Sequence, residues 1–166
     1  MKKAQYLALM AWTRQTPRRA FFCELVCRAL PAAAAAVYLA AAVWLLVTRS
    51  PALVRYAAVP ALTLAAVSLL RRLIGRPRPY ERWPEATPLM RARRRGQGCP
   101  SRHAASALAL ALAGFTVHPA LGAGLLAAAL GIGVTRVAAG VHFIGDVLAG
   151  YALAALCGIG LFIGRV

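Results

Sequence analysis

The stretch RHAASALALALAGFTVHPALGAGLLAAALGIGVTR, residues 102–136, carries no formal charge between its two terminal arginines. As one helix its 33 interior residues would extend about 50 Å, whereas the hydrocarbon core of a bilayer is about 30 Å thick. The run must therefore fold back on itself, and His118-Pro119 supplies the break. Spans are expected near 101–117 and 120–137. Outward from this hairpin lie three more uncharged runs of spanning length. Residues 29–48 are alanine-rich and end in Val43, Trp44, Leu45, Leu46 and Val47. Residues 51–74 open on a first-turn proline, Pro51, with Arg55 placed to snorkel to the interface. Residues 144–164 form the last. The expected fold class is an all-α integral membrane helical bundle of about five transmembrane helices.

Composition agrees with that architecture. The 166 residues suffice for one domain, and 61% are apolar, well above the usual 45–50% or so, which excludes disorder. Twenty Lys and Arg stand against four acids, a formal charge of +16. A hydrophobic chain this basic meets phosphate, on lipid headgroups or on a substrate. Asp146 is the only aspartate, and the glutamates are Glu24, Glu81 and Glu85. A carboxylate cage for two metal ions cannot be assembled from these, and no cofactor is expected. Cys23, Cys27, Cys99 and Cys157 form neither a redox pair nor a zinc spacing and read as free thiols.

Residues 1–29 mix apolar and basic positions and read as a basic amphipathic interfacial segment with an N-terminal interfacial helix. Their charges interrupt any signal-peptide core, so the segment is expected to stay. Residues 30–166 form the transmembrane domain, with a basic loop at 75–100. Between Arg71 and Arg102 lie ten arginines, both ends included, and five prolines, and regular structure should not dominate there. Small residues such as Gly160 and Gly164 suit close helix packing, or reflect simple alanine and glycine bias.

Counting crossings yields a parity result. The second span ends at Arg71–Pro79, the third starts at Pro100–His103, and the fourth ends at Arg136, followed by His142 and Asp146. All three face one side, while His118 lies on the other. Guanidinium forks grip phosphate oxygens in bidentate fashion, and histidine adds a reactive group. His142 and Asp146, four apart, share a helix face if the last helix begins near 142, so the carboxylate can fix the imidazole tautomer. Alternatively, Asp146 is a helix N-terminal charge.

Arg71, Arg78 and Pro79 in RRLIGRPRP, then Pro100-Ser101-Arg102-His103, then Thr135-Arg136 with His142 and Asp146, resemble the three signature motifs of the type 2 phosphatidic acid phosphatase and haloperoxidase superfamily. Order and spacing both match. Three positions depart from the pattern: Arg71 replaces lysine, Thr135 replaces serine, and Arg102 replaces glycine. An arginine at 102 keeps the backbone amide and adds charge, or it crowds the pocket. The resemblance implies a lipid phosphatase in which His142 attacks phosphorus, Asp146 orients its ring, and His103 protonates the leaving oxygen. It implies further that Arg71, Arg78, Ser101, Arg102 and Arg136 bind the phosphate without a metal. Among substrates of the small bacterial members, undecaprenyl diphosphate comes first, then phosphatidic acid and phosphatidylglycerol phosphate. The expected partners are this lipid phosphate and the surrounding membrane lipids, with no nucleic acid.

Two alternatives remain. A vanadate-type haloperoxidase shares the cradle, but its relatives are large and soluble. A non-catalytic protein binding anionic lipid would need neither histidine. The expected location is the bacterial plasma membrane as a multi-pass protein. With five crossings, 17 of the 20 cations share the face of the site, leaving Arg49, Arg55 and Arg165 opposite. The positive-inside rule then places the site on the cytoplasmic face, although many bacterial relatives work on the outer one.

Overall fold

The computed structural model describes residues 1–85, 87–90 and 96–163, with side chains through residue 159. Among these residues the only regular secondary structure is helical, without strands. The helices are α1 (Lys3–Arg14), α2 (Pro17–Val47), α3 (Ala52–Ile74), the single turn α4 (Pro79–Arg82), α5 (Arg102–Phe115), α6 (Pro119–Ala138) and α7 (Ile144–Ile163). The fold is an all-α, membrane-type bundle. Pro17–Val47, Ala52–Arg82 and Pro119–Ala138 are long and apolar enough to cross a bilayer by length and composition.

His118 breaks the long uncharged run as expected. It is the N-cap of α6, where its Nδ1 accepts from the Ala120 amide at 3.2 Å, and Pro119 occupies the first turn. This histidine is occupied in capping.

Two boundaries differ from expectation. Residues 17–29 belong to α2, which runs through positions 29 and 30 without a break, so only α1 is a separate N-terminal helix. Thr16 caps α2 by accepting from the Arg19 amide at 3.3 Å and Pro17 sets the first turn, and nothing interrupts the helix before Pro31. Its 31 residues extend about 46 Å, so one end protrudes beyond a hydrocarbon core of about 30 Å. Second, α5 has 14 residues and is only about 21 Å long.

Helix α5 packs against α6, α7, α3 and α2. Its Ala104, Ala105, Ala107, Ala109, Ala111 and Ala113 are all buried, and side chains this small let several helices approach one axis. A Cβ placed at Gly150 on α7 would lie 2.6 Å from the Ser101 carbonyl oxygen, so α5 and α7 meet almost backbone to backbone. Larger apolar side chains point outward, among them Trp44, Val47, Leu69, Val134 and Leu156. Small residues inside and large apolar ones outside suit lipid as the surroundings. Gly164 lies outside the described residues.

The prolines inside α2 and α3 have a structural consequence. A proline at i removes the amide that would bond the carbonyl at i−4. Pro60 frees the Tyr56 carbonyl, which accepts from the Tyr38 hydroxyl at 3.2 Å. The Tyr56 hydroxyl in turn donates to the Tyr38 carbonyl at 3.0 Å, and the rings stack 4.5 Å apart. Together they tie α2 to α3.

Candidate active site

One end of the bundle contains a cavity of about 720 Å³ lined from every major direction. Cys27, Arg28 and Pro31 come from α2, Arg71 and Arg72 from α3, Arg102 and His103 from α5, and Arg136 from α6. Arg78, Met90, Gln97, Val141 and His142 reach it from the connecting segments. Of the eight residues singled out in the sequence, Arg71, Arg78, Arg102, His103, Arg136 and His142 thus face one space. Ser101 and Asp146 are fully buried behind them.

Arg71, Arg78 and Arg136 are each only 6% exposed, and backbone carbonyls hold them. Arg71 Nη1 donates to the Pro100 carbonyl at 2.9 Å, and its Nη2 to the Gln97 carbonyl. Arg78 donates to the same Gln97 oxygen at 3.3 Å and to the Val141 carbonyl at 3.1 Å. The Arg78 amide donates to Glu81 Oε2 at 3.0 Å, an oxygen that also accepts from the Gly96 amide. Arg136 Nη2 donates to the Cys27 carbonyl at 2.7 Å, an oxygen released from the helical ladder because Pro31 stands four residues on. Carbonyl partners orient a guanidinium without neutralising it. Arg78 Nε, Arg136 Nε and Ser101 Oγ are buried without a hydrogen-bond partner among the described residues, and buried donors of this kind are costly until an acceptor meets them.

The turn bearing His142 is clamped from below. Gly140 has φ +75°, and a Cβ there would lie 2.5 Å from Met10 Sδ, so α1 packs directly under the turn. The Tyr6 hydroxyl donates to the Gly140 carbonyl at 2.9 Å. Trp83 bridges Tyr6 and Phe143 at ring distances of 5.5 and 5.4 Å. Helix α1 therefore supports the site.

His142 is 2% exposed, and its Nδ1 lies 3.7 Å from Asp146 Oδ2, beyond direct hydrogen-bond distance. The nearer partners of that carboxylate are the Phe143 amide at 2.9 Å and Arg76 Nη1 at 3.1 Å. Asp146 thus satisfies the start of α7 while facing the imidazole. Its backbone oxygen accepts from the Ser101 amide at 2.8 Å, linking the second and third motifs. Burial lowers the pKa of His142 below the ordinary 6.5; Asp146 opposes the shift, while Arg78 and Arg71 add to it.

Sequence reasoning missed Arg76, the cation that engages Asp146 and stacks 5.1 Å over Phe143, because nothing in RRLIGRPRP separates it from its neighbours. It also missed the roles of Tyr6 and of the Gln97 and Cys27 carbonyls. A proline inside an apolar helix was the one available signal for Cys27. Among the described residues no three His, Cys, Asp or Glu side chains gather as a metal-binding group.

Comparison with known proteins decides the family. A family model described as the PAP2 superfamily matches residues 52–165. The chain belongs to the PAP2 superfamily. Its helices follow those of the crystal structure of LpxE from Aquifex aeolicus, with a TM-score of 0.66 over 95% of this chain and 94% of that one, at 22% identity. No curated protein matches. Family membership and the apolar helices together make this chain a membrane lipid phosphatase.

The lowered pKa of His142 has a definite sign. The protonated ring is disfavoured, so at neutral pH the imidazole is neutral and retains a lone pair. In detergent, NMR titration of histidine-labelled protein, with the His142 signal assigned by its loss in His142→Ala, should give a midpoint below 6.5. A midpoint above 6.5 would contradict this electrostatic account.

Proposed function

We propose that this PAP2 protein hydrolyses a phosphomonoester or diphosphate of a membrane lipid through a phosphohistidine at His142. The observation that carries the reading is the convergence of two histidines and three carbonyl-held arginines on one cavity. His142 attacks phosphorus through Nε2, the ring nitrogen remote from Asp146, and the bond to the leaving oxygen breaks. His103 donates its proton to that oxygen. It then takes a proton from water as the water attacks phosphorus, the P–N bond breaks, and phosphate leaves. Arg71, Arg78 and Arg136 stabilise the phosphoryl oxygens, helped by Ser101 and the Arg102 amide. Asp146, 3.7 Å from Nδ1, stabilises the imidazole cation that forms. Buried guanidinium groups supply the positive charge that a metal would otherwise bring, so the reaction is proposed to need no metal. Undecaprenyl diphosphate is the first-choice substrate, with phosphatidic acid and phosphatidylglycerol phosphate next.

Purified protein offered these three lipids with excess chelator should release phosphate from at least one at an undiminished rate. His142→Ala should abolish release and His103→Ala should reduce it by about 10²–10⁴-fold, while Asp146→Asn should keep a small residue of activity. A monodisperse His142→Ala protein working at the parent rate, or a parent enzyme silenced by chelator and restored by magnesium, would overturn the mechanism.

The charge bias supports a cytoplasm-facing site. Without the motif residues Arg71, Arg78, Arg102 and Arg136, 13 cations still stand against three across the five proposed crossings, so phosphate binding does not account for the asymmetry. A reporter cysteine near Gly96 of a cysteine-free variant should react with a membrane-impermeant maleimide only after permeabilisation. Labelling in intact cells would place the site outside.

A further inference from the structure

A second cavity, of about 250 Å³, adjoins the first, and Pro31, Arg102 and His103 line both. Apart from Ser106, the remaining walls of this smaller space are apolar, made mainly by Ala35, Leu64, Ala107 and Leu110 from α2, α3 and α5. From the arginine cradle, a molecule therefore passes His103 and Arg102 before reaching a hydrocarbon-lined seat. Arg102 is exposed to this passage, and it has no hydrogen-bond or ion-pair partner among the described residues. The three buried arginines of the cradle, by contrast, are each fixed to carbonyls. A cation standing free between a phosphate cradle and an apolar seat matches one substrate layout, in which a second phosphate separates the reacting phosphate from the hydrocarbon.

We propose that Arg102 holds the inner, retained phosphate of a single-chain lipid diphosphate whose first hydrocarbon segment occupies the apolar seat. This rests on the phosphatase reading and sharpens it. The terminal phosphoryl group lies among Arg71, Arg78 and Arg136, and the bridging oxygen faces His103, the proton donor of the proposed reaction. The inner phosphate then meets the Arg102 fork, which can grip two of its oxygens. On cleavage of the terminal P–O bond, the bridging oxygen takes the His103 proton and leaves as part of the lipid monophosphate. A seat of about 250 Å³ is smaller than ordinary ligand pockets of about 300–1,000 Å³, which suits one chain rather than two. The Arg102 side chain, standing where the motif pattern has glycine, is thus a specificity determinant.

The test compares two hydrolysis-resistant probes with the same prenyl tail, a methylenediphosphonate and a monophosphonate, binding to the full chain in detergent. The parent should bind the diphosphonate at least about tenfold more tightly, a bidentate charged contact being worth that much. Arg102→Gly and Arg102→Gln should each bring the ratio of the two affinities close to one. Ala35→Leu, which fills the seat, should weaken both probes by a similar factor. No preference in the parent, or a preference that survives in both Arg102 variants, overturns the assignment, and equal binding in Ala35→Leu and parent removes the hydrocarbon seat. Phosphate release from the natural-type diphosphate is measured on the same preparations. A parent with the expected binding preference but no release would contradict the hydrolytic reading while leaving the Arg102 subsite standing.

Discussion

Three guanidinium groups buried without a carboxylate partner set the terms for the rest of this structure. Each costs on the order of several kcal/mol to desolvate, a cost usually met in proteins by an ion pair. Here the partners are backbone carbonyls, those of Pro100 and Gln97 for Arg71, Gln97 and Val141 for Arg78, and Cys27 for Arg136. Dipoles fix the orientation of the groups and leave their charge for an anion. Supplying the carbonyls takes irregular backbone at the bundle end, in the loop around Gln97 and in the turn at Val141. It also takes a proline inside α2, which releases an oxygen that a regular helix would have kept. The same constraint explains the depth of the site, because charged groups inside a membrane bundle face its interior and mark function.

The scaffold that brings these groups together depends on small side chains. With alanine along α5 and glycine at position 150, the start of α5 lies against the first turn of α7, where the Ser101 amide reaches the Asp146 carbonyl at 2.8 Å. That contact sets the second motif beside the third without a side chain between them. The N-terminal helix completes the arrangement from outside. Tyr6 and Met10 pack under Gly140, and through Trp83 the support extends to Phe143, next to the candidate nucleophile.

Much of this was legible in the sequence, for physical reasons. The break at His118-Pro119 followed from length, since 33 uncharged helical residues exceed any bilayer. The convergence of Arg71, Arg78, Arg102, His103, Arg136 and His142 followed from parity, which needs only the number of turns. Two readings of Asp146 were open: as a helix N-terminal charge it bonds the Phe143 amide on the first turn of α7, whereas α7 begins at Ile144, after His142, and leaves the carboxylate 3.7 Å from the imidazole Nδ1, too far for the hydrogen bond that would fix a tautomer. Other features were not legible. Charge along residues 17–29 suggested an interfacial segment, yet only packing and capping decide whether such a stretch extends a longer helix. The pairing of Arg76 with Asp146 depends on the path of a proline-rich loop, and the role of Tyr6 depends on a contact across 134 residues. Periodicity carries no information about either.

In the proposed mechanism His142 bonds to phosphorus in a covalent step. This step is tested most directly by mixing the protein with a lipid phosphate labelled in its terminal phosphoryl group, quenching within milliseconds in alkaline denaturant, and locating the label by peptide mass spectrometry. The account predicts an acid-labile, base-stable phosphoryl group on His142, formed at a rate consistent with turnover and missing from His142→Ala. Label on another residue, or phosphate release with no labelled protein at any quench time, would contradict it.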